Sequence, residues 1–352
     1  MMIIISLLVL ALIILVHEWG HFMAARSAGI EVLEFSIGFG PKLFSVNRPY
    51  KKGGANSITE FSLRLFPLGG FVRMAGTDPD DEDHEHGFNK ASPLQRIKVL
   101  AAGPVMNFVL AVFLFVFAFT VIGIPQPVEN AIIGEIIDGR PAATAGLMTG
   151  DEIVAANGQR IQSWEQLVGA IQQTPREGTL LLQVKRDGQL YDMSVKPEYD
   201  TTTQTMMLGI SSMVTFHKMG LWQGIKMGFV NTYQTTVAML QGLGQIITGA
   251  VSTKALAGPV GITKMIGQAA QGGFIYLLNF TALLSINLGI INLIPFPALD
   301  GSRIVFTGIE MVRGRPIEPE REGFIHLLGF MVLMGLILLV TYNDIFMLLK
   351  GG

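Results

Sequence analysis

The chain of 352 residues contains no cysteine, so it can form neither a disulfide framework nor a thiolate metal site. Any zinc would have to be bound by His, Asp or Glu. Charged residues make up only 15% of the sequence and hydrophobic residues 50%, which is too apolar for an ordinary soluble protein of this size. The formal net charge of -2 provides no basic field for neutralising phosphates, so we expect no nucleic-acid partner.

The N-terminus lacks the features of a cleaved signal peptide. No basic residue precedes the apolar run at residues 1–16, and no small-residue cleavage site follows it. The run leads instead into His17-Glu18-Trp19-Gly20-His21. We therefore interpret this segment as a retained membrane span.

Four apolar stretches could cross about 30 Å of hydrocarbon as helices in a lipid bilayer. They lie at residues 2–25, 99–124, 274–294 and 324–340. The segment at residues 26–98 carries ten of the 25 Lys and Arg residues, and the short loop at residues 301–322 is also basic. The positive-inside rule places both segments in the cytoplasm and both chain ends on the opposite side.

The first cytoplasmic segment contains a candidate β-hairpin. Residues 57–65 and 71–74 have the composition of strands and are joined by a Pro- and Gly-containing turn. The hairpin could present substrate by strand addition, with Leu65, Gly69 and Gly70 in contact with it. Alternatively, the hairpin only caps the cytoplasmic face. For the acidic stretch at residues 78–86, a solvated loop or an accessory metal site is expected.

Residues 130–198 have the composition of a soluble domain. Strand candidates, an Asn157-Gly158 turn, a helix at residues 164–173 and an Asp187-Gly188 hairpin follow one another along the chain. This order resembles one copy of the bacterial, circularly permuted PDZ domain. The predicted fold is an α-helical polytopic membrane protein of about four transmembrane helices, with a membrane-associated β-hairpin and an inserted α+β PDZ domain.

The first span carries a candidate metal motif. On a helix, His17 and His21 project from one face about one turn apart, where two imidazoles can bind one Zn²⁺ ion. Glu18 stands beside them, where it can act as a general base. As an alternative, the three side chains pair only with other buried polar groups. Charged groups at membrane depth cost on the order of 3 kcal/mol each or more, which favours a metal-binding role.

The end of the third span supplies a third ligand candidate. Pro295 and Pro297 stop the helix just before Asp300, so a carboxylate lies at a broken helix end. Irregular backbone at this depth must line protein or a wet cavity, and we predict Asp300 as the third zinc ligand. Asn287 and Asn292 could hydrogen-bond substrate backbone or an oxyanion, or could bond a neighbouring helix.

Taken together, these motifs resemble the site-2 protease family, in particular the bacterial intramembrane proteases of the RseP type. The resemblance covers nearly the whole chain and includes His-Glu-Trp-Gly-His, Asn-Leu-Ile-Pro-Phe-Pro-Ala-Leu-Asp-Gly, Gly38-Phe39-Gly40-Pro41, Gly103-Pro104 with Asn107, and Gly258-Pro259-Val260-Gly261-Ile262. It implies zinc bound by His17, His21 and Asp300, catalysis by Glu18, and support of substrate or transition state by Asn292. It also implies the bacterial cytoplasmic (inner) membrane, whereas the best-known member has two PDZ domains.

The expected organisation combines two membrane halves with an inserted domain. The N-terminal half is expected at residues 1–125, the PDZ domain at 126–200, a linker with a membrane-surface amphipathic helix at 201–272, and the C-terminal half at 273–352. Residues 225–251 are long enough to span but carry Lys226 and several amides. A crossing there would put Asp300 on the wrong side, so we predict a helix at the non-cytoplasmic surface, under the PDZ domain.

The predicted function is hydrolysis of peptide bonds within or near transmembrane segments of single-span membrane proteins. Anti-sigma factors and signal-peptide remnants both fit as substrates, and the PDZ domain could hold peptide termini or filter outer domains. A non-catalytic PDZ scaffold is the alternative, but it has no reason to keep Glu18 beside two histidines in the membrane. A metal transporter would need ionisable residues along a whole path, and the sequence shows one tight cluster.

Overall fold

The computed structural model describes residues 2–52, 55–77, 85–200, 204–250, 257–315 and 317–349. Two compact units make up the chain: residues 1–120 with 220–352, and residues 121–219. Most of the predicted acidic loop, residues 78–84, lies outside the described residues, and the accessory metal site considered there lies outside them too.

Together with a short 3-10 helix at Phe88–Lys90, nine α-helices are present in the described part of the chain. They are α1 (Met2–Ser27), α2 (Pro93–Phe117, extended by a π-helical turn at Ala118–Ile122), α3 (Pro141–Thr144), α4 (Trp164–Gln173), α5 (Leu221–Ile247), α6 (Pro259–Gly272), α7 (Phe274–Leu293), α8 (Asp300–Arg313) and α9 (Pro319–Leu349). Among the described residues, α1, α2, α7 and α9 are long and apolar enough to cross a membrane. This confirms the prediction of a polytopic helical membrane protein.

Three of these membrane helices pack closely against one another. Gly20 of α1 lies so near α2 that an added Cβ would come 2.3 Å from the Ala102 carbonyl oxygen. Gly289 of α7 also approaches α2 closely, and the Ser285 hydroxyl donates to the Asn107 carbonyl oxygen at 2.8 Å. Small residues allow membrane helices to approach in this way. As a result, α2 lies between the helix that carries His17 and the helix that leads to Asp300.

Two long strands, β1 (Val32–Lys52) and β2 (Ala55–Met74), form the sheet of the first unit. Both bend, which gives four strand segments that we call A (residues 32–37), B (42–52), C (55–65) and D (70–74). Segment A pairs with D through Ile37 and Gly70, and with C through Ile37 and Leu63, while C also pairs with B. The order across the sheet is D, A, C, B.

The predicted pairing of residues 57–65 with residues 71–74 is wrong, because segment A lies between these strands. Gly38 and Gly40 both adopt positive φ, which lets β1 turn back after segment A. The sheet then packs on α1 through rings: the Phe22 centroid lies 5.3 Å from that of Phe35 and 5.6 Å from that of Phe61. Segment D is thereby held beside the helix that carries the metal motif.

Residues 121–219 form the inserted α+β domain. Its strands are β3 (Ile124–Pro127), β4 (Ile133–Ile136), β5 (Glu152–Ala156), β6 (Gln159–Arg160), β7 (Leu180–Arg186), β8 (Gln189–Val195), β9 (Glu198–Asp200), β10 (Thr205–Met207), β11 (Ile210–Ser212) and β12 (Val214–His217). The largest sheet has the order β6-β5-β7-β8, and Leu167 of α4 is buried in the core of the domain. The element order is that of the predicted permuted PDZ domain.

The domain continues past residue 200, where the sequence-based boundary was placed. β11 returns to pair with β4, and β12 pairs with β3, so the compact unit ends at Met219. Inside it, burial alone would raise the pKa of Asp151. Hydrogen bonds from the Arg186 guanidinium at 2.7 Å and from the Met148 N–H nevertheless hold the pKa of this carboxyl below its usual range.

Of the ambiguous segment at residues 225–251, residues 225–247 form most of α5, and residue 251 lies outside the described residues. Among the described residues, α5 is not one of the helices apolar enough to span. An added Cβ at Gly224 would lie 2.2 Å from the Thr120 side chain, so α5 packs against the end of α2. Its location at the membrane surface stays a prediction. α6 follows, and its Gly261 N–H donates to Asp344 of α9 at 2.7 Å.

Candidate active site

His17 and His21 lie one turn apart on α1 and are both buried. Their Nε2 atoms are 3.2 Å apart, with the rings edge to face. Spacing of four residues on a helix produces this arrangement, as the sequence predicts. Two imidazole nitrogens therefore face one point.

Asp300 arrives at the same point from a different element. α7 ends at Leu293, and a short loop through Pro295 and Pro297 leads to α8, whose first residue is Asp300. Its Oδ2 lies 3.2 Å from His17 Nε2 and 3.4 Å from His21 Nε2. The structure thus brings the three predicted metal ligands together.

The geometry of this cluster fits a zinc ion. One ligand atom from each of the three residues lies within 4.8 Å of the others. Ligands about 2.05 Å from a tetrahedral centre are about 3.3 Å apart, close to the observed N–N and N–O separations. Asp300 Oδ2 is buried without a hydrogen-bond partner among the described residues, so a metal would satisfy it. Two imidazoles and one carboxylate are a common catalytic zinc set.

The other nitrogen of each imidazole is held by α2. His21 Nδ1 lies 2.8 Å from the Val99 carbonyl oxygen, which can only accept, so Nδ1 carries the proton and Nε2 is free for a metal. His17 Nδ1 lies 3.1 Å from Nδ2 of the fully buried Asn107. Asn107 Oδ1 has no hydrogen-bond partner among the described residues. Rotating the amide by 180° would let Oδ1 accept from His17 Nδ1–H, the tautomer that metal binding at Nε2 requires.

Gly103 of α2 lies directly against the metal cluster. An added Cβ would come 2.3 Å from His21 Nε2, far inside van der Waals contact. Only glycine leaves room for the imidazole at this position. Gly103 and Asn107 belong to the motifs that resemble the site-2 protease family, but the sequence alone assigns neither residue a role.

Glu18 lies next to the three candidate ligands without joining them. Its carboxylate lies near the Val72 backbone of segment D, and an added Cβ at Gly70 would come 3.3 Å from Glu18 Cγ. The carboxylate therefore lies between the metal cluster and the edge of the sheet. This is the position expected of a group that moves protons and does not bind metal.

The other predicted site residues lie outside the cluster formed by His17, His21, Asp300 and Glu18. Asn287 and Asn292 are half-buried on the last turns of α7, and neither side chain hydrogen-bonds to any described residue. Leu65 is exposed, in segment C. An added Cβ at Gly69 would meet the Phe39 ring at 2.2 Å. Of the predicted substrate residues, Gly70 is placed beside Glu18, close enough that an added Cβ would touch it.

Comparison with known proteins assigns the class to which this fold and cluster belong. Residues 5–336 match the model of peptidase family M50. The chain belongs to this family. The sequence-based identification as a site-2 protease type metallopeptidase is thereby confirmed.

Two curated relatives illustrate the similarity. The chain is 35% identical to the zinc metalloprotease RasP of Geobacillus kaustophilus (strain HTA426), with 96% of each chain covered. It is 33% identical to the regulator of sigma-W protease RasP of Bacillus subtilis (strain 168), with 96% of this chain and 97% of the relative covered. These relatives confirm the predictions of a metalloprotease and of zinc as its cofactor.

One solved structure is similar to part of this chain. The PDZ domain of an SdrC-like protein from Listeria monocytogenes is 19% identical, covering 25% of this chain and 93% of that one, with a TM-score of 0.22.

Proposed function

We propose that this protein cleaves single-span membrane proteins within or near their transmembrane segments, with zinc bound by His17, His21 and Asp300. The observation that supports this is the convergence of two buried imidazoles of the membrane helix α1 with the Asp300 carboxylate at the start of α8, with Glu18 beside them. Buried ionisable groups in a membrane are costly unless they serve a function. A site at this depth reaches peptide bonds that soluble proteases cannot.

In this mechanism each side chain has a defined task. Zinc, when bound, would lower the pKa of a water molecule to about 7 and polarise the scissile carbonyl. Glu18 takes the proton of the attacking water and delivers it to the leaving amine. Val99 and Asn107 fix the ring orientation of the two histidines. Asn292, at the end of α7, supports the substrate or the oxyanion, with Asn287 a turn earlier.

Substrate presentation by strand addition is supported at segment D. A helical substrate hides its peptide bonds, and unwinding it in lipid costs several kcal/mol for each unpaired backbone group. Among the described residues segment D pairs with segment A and with no further strand, and its Val72 backbone lies near Glu18. Pairing with this free edge would offset the unwinding cost and place the extended segment beside Glu18.

The proposed orientation puts the metal cluster near the cytoplasmic face of a bacterial cytoplasmic membrane. Basic segments follow α1 and α7, so these ends are cytoplasmic by the positive-inside rule. The PDZ domain is inserted after α2, which runs back, and therefore lies on the non-cytoplasmic side. There it binds peptide termini or outer domains of substrates. The name of the Bacillus relative, regulator of sigma-W protease, favours anti-sigma factors as one substrate class.

The test is cleavage of a single-span substrate by the purified full chain in lipid vesicles, with the cut site mapped by mass spectrometry. We expect cuts within or next to the transmembrane segment, loss of cleavage on chelation, and recovery with zinc. Cleavage only in exposed loops, or cleavage insensitive to chelation, would contradict the proposal. Binding of substrate without any cleavage would favour the PDZ scaffold.

A further inference from the structure

The loop that delivers Asp300 contains a strained residue. Ala298, two residues before Asp300, has φ of +81°, a left-handed conformation that is unfavourable for a non-glycine residue. Such a residue persists only where surrounding contacts fix it. The contact that fixes Ala298 is therefore relevant to the position of Asp300.

That contact comes from the fourth membrane helix. The Ala298 N–H donates to Nδ1 of His326 on α9 at 2.9 Å. One turn further along α9, an added Cβ at Gly329 would lie 2.3 Å from Pro297 Cβ, so α9 approaches the loop as closely as a glycine allows. The His326 ring also packs edge to face on Phe306 of α8 at 5.6 Å. His326 thus contacts both the loop that precedes Asp300 and α8, the helix that begins at Asp300.

The chemistry of the ring suits an acceptor role. A nitrogen that accepts from a backbone N–H carries no proton, so the neutral ring is protonated at Nε2. His326 Nε2 is buried and has no hydrogen-bond partner among the described residues, and the nearest carboxylate oxygen, on Glu322, is 3.6 Å away. The bond to Ala298 is therefore the short hydrogen bond of this ring among the described residues, and the Glu322 carboxylate lies on the Nε2 side, where it favours a proton on Nε2.

We infer that His326 is a positioning residue for the third metal ligand, acting through the N–H of Ala298. By holding Ala298 in the left-handed conformation, it sets the direction in which the chain enters α8 and presents the Asp300 carboxylate to His17 and His21. Groups that orient metal ligands typically change metal affinity 10- to 100-fold when removed. The inference rests on the proposed zinc site.

The test compares three histidine substitutions in the purified full chain. In His326→Asn the amide oxygen sits one bond from Cγ, where Nδ1 lies, and can still accept from Ala298. In His326→Gln the polar atoms move one bond outward, toward the place of Nε2. His217→Gln makes the same change at an exposed histidine of the inserted domain and serves as the control. Zinc affinity is measured by competition with a chelator, alongside cleavage rate and melting of the zinc-free protein.

We expect His326→Gln to weaken zinc binding roughly tenfold or more, while His326→Asn and His217→Gln stay within about threefold of wild type. Equal losses in the Asn and Gln variants would mean that ring packing matters and would overturn the acceptor role. Wild-type zinc affinity in His326→Gln would overturn the inference outright. If His326→Gln does not fold, His326→Leu replaces it, because leucine branches at Cγ as asparagine does but has no acceptor for the Ala298 N–H; unchanged zinc affinity in that variant would also overturn the inference.

The two proposals fail separately. If the wild-type protein binds no zinc, or keeps its zinc in Asp300→Ala, the proposed metal site is at fault. If the wild-type protein binds zinc through Asp300 and the His326→Gln variant binds equally well, the positioning role alone is at fault.

Discussion

At the scale of single residues, the candidate site depends as much on space as on ligands. Gly103 has no side chain to offer, yet its position against His21 Nε2 leaves no room for even one methyl group. The ring could avoid a methyl group there only by leaving the point where it meets His17 and Asp300. Metal binding by His17, His21 and Asp300 would therefore depend on a residue that makes no bond to the metal.

We predict that Gly103→Ala lowers zinc affinity at least tenfold, as loss of a ligand-orienting contact does, and slows cleavage accordingly. Gly308→Ala is the matched control, because Gly308 is also helical and an added Cβ there meets open space. Alanine in an exposed helix favours the helical state, so this control should keep its zinc. Normal zinc affinity in Gly103→Ala, measured by chelator competition, would show that the close approach to His21 is not maintained.

At this scale the sequence could predict the site residues whose positions depend on a single segment of the chain. His17, Glu18 and His21 are set by spacing on one helix, and Asp300 by the prolines that stop another. The parts played by Gly103, Asn107 and His326 depend on which helices pack together. No periodicity or spacing within one segment carries that information.

At the scale of secondary-structure elements, the sheet shows how local patterns mislead about partners. The strand character of residues 57–65 and 71–74 is evident from the sequence, but these strands are separated by segment A. Pairing between segments depends on the turn at Gly38 and Gly40, which composition alone does not locate. Segment C is therefore interior, and the free edge near Glu18 belongs to segment D.

Because the outer edge near Glu18 belongs to segment D, proline substitutions in this segment test strand addition. Proline removes one N–H, so single prolines at Phe71, Val72 and Arg73 should impair cleavage where that N–H faces the substrate. Asn47→Pro is the control: it lies in segment B, two residues before the native Pro49, on the opposite edge of the sheet. We expect this control to cleave normally, as should any segment D variant whose lost N–H does not face the substrate.

Cleavage is measured only for variants that fold and retain zinc, with one helical substrate and one carrying helix-breaking residues. The second substrate should be cut faster, since it costs less to unwind. If all three segment D prolines cleave at the rate of Asn47→Pro, strand addition at this edge is excluded.

At the scale of the whole molecule, the metal cluster and the inserted domain belong to separate compact units. The insertion begins after α2 and ends before α5, and its first and last strands, β3 and β12, pair with each other. The sequence indicated the domain through its turns and strand order, but it did not indicate that β3 and β12 would pair. Strands as short as four residues give little signal apart from their partners.

We predict that the PDZ domain filters substrates by the size of their outer part. The deletion that tests this removes residues 128–213 and joins Pro127 to Val214 through a short linker. It keeps β3 and β12, which pair with each other at the two ends of the domain. This variant should cut substrates whose outer domain has not been trimmed, as well as trimmed ones. If only trimmed substrates are cut, the domain does not act as a size filter.

The central claim, that a zinc site inside the membrane hydrolyses peptide bonds with Glu18 as the proton carrier, is tested most directly by Glu18→Gln. Zinc content and cleavage are measured on the same purified preparation, next to wild type and Asp300→Ala. The account predicts about one zinc per chain in Glu18→Gln with cleavage abolished, and reduced zinc in Asp300→Ala. Cleavage by Glu18→Gln at the wild-type rate would contradict it.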